Sequence, residues 1–180
     1  MSFKIKLILL AILVVVGIVA AMMILWPAKD DGKLASMAVS AVAGNEQKLH
    51  RLTEKAFRMA PLPATRCRLD PTQSPPHVGY YCHVFVNDAA KEPITTGKGK
   101  YSVGSVIVKQ KYFSKLARKT ELFTIMRKME SGYDDENGDR EYSIVDSAGA
   151  EVLSRGRDES CISCHTFYKD TDYVSREYLR

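Results

Sequence analysis

The chain has 180 residues, 46% of them hydrophobic and 26% charged, with 11 Gly, 7 Pro and 4 Cys. This excludes a low-complexity or collagen-like polypeptide and fits one globular domain. The formal net charge is +5, of which Lys4 and Lys6 supply two, leaving +3 on the rest, too little to point to a nucleic-acid partner.

Between Leu7 and Trp26 only Gly17 falls outside the hydrophobic set. At about 1.5 Å per residue such a run spans roughly 30 Å as a helix, the thickness of a hydrocarbon core, so one N-terminal transmembrane helix is predicted within residues 1–28. Lys4 and Lys6 precede it and Lys29, Asp30 and Asp31 follow it. The basic side stays in the cytoplasm, which makes this a single-pass protein of the inner (cytoplasmic) membrane with its remainder facing the periplasm. The competing reading is a cleaved signal peptide with Val19 and Ala21 at the cleavage site, but the apolar run continues through Met22 and Met23 to an interfacial Trp26.

Residues 29–60 read as a helical linker. From Gly32 to Met59 helix formers dominate, with Leu49, Leu52, Ala56 and Met59 at helical spacing, which predicts one helix, or two broken near Gly44. Pro61 and Pro63 end it, and Ala64 to Pro76 has the composition of an irregular loop.

The period then changes to two. His77 to Val86 alternates, with Val78, Tyr80, Cys82, Val84 and Val86 on one side and Tyr81, His83 and Phe85 on the other. Gly97 to Lys100 is a turn; Val103 to Tyr112, Leu122 to Lys128 and Glu141 to Asp146 are further strands. Between the last two, Gly132 to Arg140 holds an Asn-Gly pair, the usual hairpin signal, while its acidic residues make an incomplete calcium-loop pattern. Basic residues gather from Lys109 to Lys128 and read as a solvated face, the other use being to steer an acidic partner or rest near anionic lipid. The predicted class is α+β: mainly an antiparallel sheet of about four or five strands with flanking helices, preceded by the transmembrane helix.

Near the C-terminus stands Cys161-Ile162-Ser163-Cys164-His165. This C-x-x-C-H run, in an exported protein, reads as the attachment site of one covalent haem c, with Cys161 and Cys164 as thioethers and His165 as the axial iron ligand. A redox dithiol does not need the trailing His, and no second Cys/His pair has zinc spacing. Cys67 and Cys82 flank the proline-rich loop and are expected to form a disulfide worth roughly 3 kcal/mol in the chain-entropy model, two unlinked thiols being the alternative. Only fifteen residues follow His165 and none is Met, His or Cys. This excludes the arrangement of an electron-transfer cytochrome c with its Met ligand downstream, and the strands argue against the four-helix bundle of cytochromes c-prime. Met126 or Met129 remains a candidate sixth ligand from an earlier strand.

Three stretches resemble the cytochrome P-460 family, which includes the β-sheet cytochromes c-prime-beta: Gly104-Ser105-Val106-Ile107-Val108-Lys109, the hairpin from Gly132-Tyr133 through Gly138-Asp139-Arg140-Glu141-Tyr142, and the haem motif continuing to Asp170-Thr171-Asp172-Tyr173-Val174. The resemblance covers about Ser74 to Arg180, and the late haem motif with its D-T-D-Y-V tail is its most specific part. It implies residues 61–180 as a haem c domain, a sheet-based homodimer, a five-coordinate iron and a redox partner cytochrome. In the family's enzymes a lysine is cross-linked to the porphyrin rim and hydroxylamine is oxidised; Lys109 matches that lysine. The enzymes' distal glutamate has no counterpart on Leu122 to Met126, where Glu121 and Glu130 lie only at the ends. A pocket lined by Phe123, Thr124 and Met126 suits a small neutral gas such as nitric oxide. Arg140 also departs from the pattern, standing where an aromatic residue is expected.

Overall fold

In the computed structural model the described residues are 31–45, 47–52, 57–58, 81–114 and 119–176. All belong to one compact unit, Asp31–Arg180. The run from Leu7 to Trp26, the proline-rich loop and Cys67 lie outside them, and among the described residues no helix is long and apolar enough to cross a membrane.

Helix α1, Asp31–Ala43, places Ala35, Ala38, Val39 and Val42 on one stripe, all buried. It ends where Gly44 takes φ +72°, with the Gly44 amide on the Ser40 carbonyl at 2.8 Å. Because its stripe packs on the sheet, α1 is part of the domain body and not a linker. In the second half of the expected helix, the described residues 47–52 and 57–58 are not helical and include two short strands instead. His50–Arg51 (β1) pairs antiparallel with Val86 and Phe85, and Phe57–Arg58 (β2) pairs with Cys82 and Tyr81. Leu49 and Leu52, three apart, join opposite sides of the sheet, as residues of odd separation do in an extended segment but not in a helix.

Strand β3, Tyr81–Val86, is followed by a short helix α2, Asp88–Thr96, which no periodicity in the sequence predicts. The side chain of Asn87 caps it by accepting from the Ala90 amide, and Gly97 at φ +71° closes it; Pro93 lies inside and gives up one helical bond. Strands β4 (Val106–Tyr112), β5 (Phe123–Lys128), β6 (Arg140–Val145) and β7 (Val152–Gly156) complete an antiparallel seven-stranded sheet in the order β1-β3-β4-β5-β6-β7, with β2 beside β3. The count exceeds the four or five expected because β1, β2 and β7 are short edge elements; on β7, Val152 and Leu153 are exposed and leave no alternating signal. The Asn137-Gly138 hairpin joins β5 to β6 as its sequence implied. Helix α3, Glu159–His165, then carries the C-x-x-C-H run into a 3₁₀ segment, Thr166–Thr171.

Register sorts side chains onto two faces. Val84, Lys109, Thr124 and Ile144 are cross-strand neighbours, as are Val86, Ile107, Met126 and Tyr142. Their sequence neighbours Phe85, Val108, Phe123, Ile125 and Val145 form the opposite core with α1. Among the described residues the basic run is solvated only in part: Lys119 is exposed, but Lys109 and Lys111 are buried, Arg127 pairs with Glu141 at 3.1 Å and Lys128 with Asp139 at 3.7 Å.

Candidate functional site

On the face away from α1 lies a half-open cavity, whose lining includes Ile107, Lys109, Thr124, Met126, Tyr142, Cys161, His165 and Val174. It is built by β4, β5 and β6 on one side and by α3 and the C-terminal tail on the other.

Helix α3 starts because the Asp158 carboxylate accepts from the Ser160 amide at 2.9 Å. Cys161 and His165 are four residues apart, one turn of helix, and so reach the same cavity. The Cys161 thiol is free, and burial, then the nearby Asp158 charge, pushes its pKa up to about 12, so it is protonated at neutral pH. Cys164 is buried but outside the cavity lining and is disulfide-bonded, its partner lying outside the described residues.

The His165 ring is buried, with its Nδ1 2.7 Å from the Tyr173 carbonyl oxygen. A carbonyl only accepts, so Nδ1 carries the proton and Nε2 the lone pair. Burial first, then the positive charge of Lys109, pushes the ring's pKa down to about 3, against the Tyr173 hydrogen bond, which raises it. The imidazole is therefore neutral at neutral pH. The Tyr142 ring lies 5.2 Å from it between centroids, and the buried Tyr142 hydroxyl has no hydrogen-bond partner among the described residues.

The carbonyl that holds His165 is itself held. Asp172 and Tyr173 both adopt left-handed backbone, at φ 52° and 63°, uncommon for non-glycine residues and costly for an aromatic one. Three sets of contacts fix the pair. The Tyr173 amide donates to the Tyr168 carbonyl at 2.7 Å. The Tyr173 hydroxyl donates to the Glu136 carbonyl at 2.8 Å, and its ring lies so close over Gly138 that a Cβ there would sit 2.3 Å from the ring. Arg140, 1% exposed, donates to the Asp172 carbonyl at 2.7 Å and pairs with its carboxylate at 2.8 Å, while that carboxylate also accepts from the Tyr101 amide. The Arg140 guanidinium rests over the Tyr101 ring, 4.9 Å from its centroid.

Of the residues singled out from sequence, Lys109, Thr124, Met126, Cys161 and His165 come together at the cavity. Phe123 does not: strand alternation puts it on the other face, fully buried against the α1 core, which corrects the expected lining. Cys82 is a free, buried thiol, so the expected Cys67–Cys82 disulfide is not formed. Among the described residues no group of three or more His, Cys, Asp or Glu could hold a metal ion, and the hairpin carboxylates are spent locally, as where Asp134 accepts from Asn137. Sequence reading missed Tyr142, which the hairpin register opposes to Met126, and the pairing of Arg140 with Asp172, which no spacing rule signals across 32 residues. No protein-family model matches this protein, and no curated protein is significantly similar to it.

Proposed function

We propose that this protein is a mono-haem c-type cytochrome similar to the cytochrome P-460 family, anchored in the inner membrane through residues 1–28 with its haem domain in the periplasm, whose cavity binds a small nitrogen species. The observation that carries the reading is the C-x-x-C-H helix: Cys161 and a neutral, hydrogen-bond-oriented His165 line one cavity that is apolar over much of its wall. A haem draws four iron ligands from its own porphyrin, so a single imidazole suffices on the protein side. When bound, it supplies an iron that takes small ligands and exchanges single electrons. Cys161 and Cys164 are the residues that would hold it covalently, and His165 the axial ligand. Adding a thioether consumes an S–H, so a dithiol reductant, itself oxidised to a disulfide, first has to return Cys164 and its partner to thiols; the disulfide and the second thioether are alternative states of one sulfur.

Within the nitrogen-ligand reading, nitric oxide binding is favoured over hydroxylamine oxidation, because the described residues lining the cavity include no carboxylate to accept a proton. Lys109 favours the rival, since the residue matching the family's cross-linked lysine does line the cavity. Met126 lines it too, and as a sixth ligand it would make the protein an anchored electron-transfer cytochrome working with a redox partner cytochrome.

One ferrous absorption spectrum of the full-length protein in detergent, with and without nitric oxide, separates these. We expect an ordinary five-coordinate haem c spectrum that changes on adding nitric oxide. A strongly red-shifted Soret band that Lys109→Ala returns to normal, accompanied by hydroxylamine turnover, would establish the enzyme instead. A six-coordinate spectrum that Met126→Ala converts to five-coordinate would establish the electron carrier.

A further inference from the structure

We propose that Arg140 is a positioning residue for the axial imidazole, acting through Asp172 and the Tyr173 carbonyl, so that a buried ion pair on the sheet sets the donor strength of the nitrogen that would bind iron. The inference rests on the haem reading but is argued from this protein's own contacts.

An imidazole Nδ1–H that donates strongly gives the ring partial imidazolate character and makes Nε2 a better donor, so whatever fixes the acceptor carbonyl tunes the ligand. Here the acceptor is a backbone carbonyl in a left-handed pair that the backbone does not favour on its own. Arg140 meets that pair at both of the Asp172 acceptors, the backbone carbonyl at 2.7 Å and the carboxylate at 2.8 Å. From there one residue leads to the carbonyl on His165. Arg140 leaves β6 beside Tyr142, whose ring faces His165, so the same strand supplies a cavity wall and the anchor of the axial ligand. Burying a guanidinium is costly unless it is paired, and this one is paired, with a further stack on Tyr101. The departure at Arg140 from the aromatic residue expected in the hairpin thereby acquires a use: where an aromatic side chain only fills space, a guanidinium can grip a carboxylate and a carbonyl together.

The test compares Arg140→Gln, Arg140→Lys and the wild type as full-length protein in detergent. Resonance Raman of the ferrous form reads the iron–histidine stretch, which falls when the Nδ1 hydrogen bond weakens. We expect a lower frequency in Arg140→Gln and a value near wild type in Arg140→Lys, with haem content and far-UV dichroism unchanged. An unchanged frequency in a folded Arg140→Gln protein would overturn the proposal and leave Arg140 a purely structural ion pair. If Arg140→Gln fails to fold, Asp172→Asn is the second variant, since Asn tolerates left-handed backbone but removes the charge; the same downshift is expected there, and its absence counts against the proposal. If the wild type carries no haem at all, the functional reading has failed and this one is still decided. The ¹⁵N and ¹H resonances of His165 in the haem-free protein then report its Nδ1 proton. Slow exchange in wild type and Arg140→Lys that is lost in Arg140→Gln supports the inference, and equal exchange in all three overturns it.

Discussion

The two faces of this sheet are made by the same strands, one residue out of phase, and they differ in where their polar groups sit. Toward α1, Ala35, Ala38, Val39 and Val42 pack against Phe85, Val106, Val108, Phe123, Ile125 and Val145, and the polar groups in the same phase include Gln110, which donates to Thr120 at 2.8 Å, and Glu141, paired with Arg127 and Arg155. Toward α3 the same strands present Lys109, Thr124 and Tyr142 beside Ile107 and Met126, and the tail adds Cys161 and His165. The first face holds the molecule together. The second gathers a buried lysine, a histidine and a tyrosine hydroxyl around one cavity, and each carries a desolvation cost that an apolar residue avoids. Where polar groups are buried together around a cavity, function is the ordinary reason.

Phe123 gives the sharpest way to break this comparison. Phe123→Ala removes a fully buried ring from the α1 face and should cost about 3–5 kcal/mol in urea unfolding, while leaving the haem absorption spectrum of the folded fraction unaltered. A changed spectrum at native stability would place Phe123 at the functional face after all.

Gly138→Ala should have a smaller effect on stability but a visible one on the site. The new Cβ meets the Tyr173 ring, and φ +69° disfavours any side chain, together costing about 1–3 kcal/mol. Displacing Tyr173 moves the carbonyl that orients His165, so the iron–histidine frequency should shift as well. A destabilised protein with an unshifted frequency would uncouple hairpin and histidine.

Tyr142→Phe is the mirror of the first variant and the least costly. It deletes a buried hydroxyl without a partner among the described residues, so unfolding should be unchanged or up to about 1 kcal/mol harder. A loss beyond about 1 kcal/mol would mean that the hydroxyl has a working hydrogen bond.

Much of the cavity lining was legible in the sequence, because C-x-x-C-H is a local spacing and alternation in β4 to β6 states which residues share a side. Applied strictly, the same alternation separates Phe123 from Thr124 and Met126; grouping all three by proximity in sequence was the error, and register exposes it. Two kinds of feature were hidden. Residues 47–58 carry helix-forming composition, yet tertiary pairing with β3 overrides it, since Tyr81, Cys82, Phe85 and Val86 offer backbone partners that an isolated helix does not have. The Arg140–Asp172 pair joins β6 to the tail and exists only once both are folded, so no window of sequence contains it. The D-T-D-Y-V tail is visible in the sequence as a motif, but its physical content, a left-handed pair presenting one carbonyl to one histidine, exists only in the folded protein.

The central claim is that the cavity face is a covalent haem site. Mass spectrometry of the full-length protein, expressed with a c-type maturation system and analysed under denaturing conditions, tests it most directly. The account predicts the polypeptide plus the mass of one haem, an increment that survives acidic organic extraction and disappears in the Cys161→Ala, Cys164→Ala variant. A wild-type protein at its bare polypeptide mass, with Cys164 still in a disulfide, would contradict it.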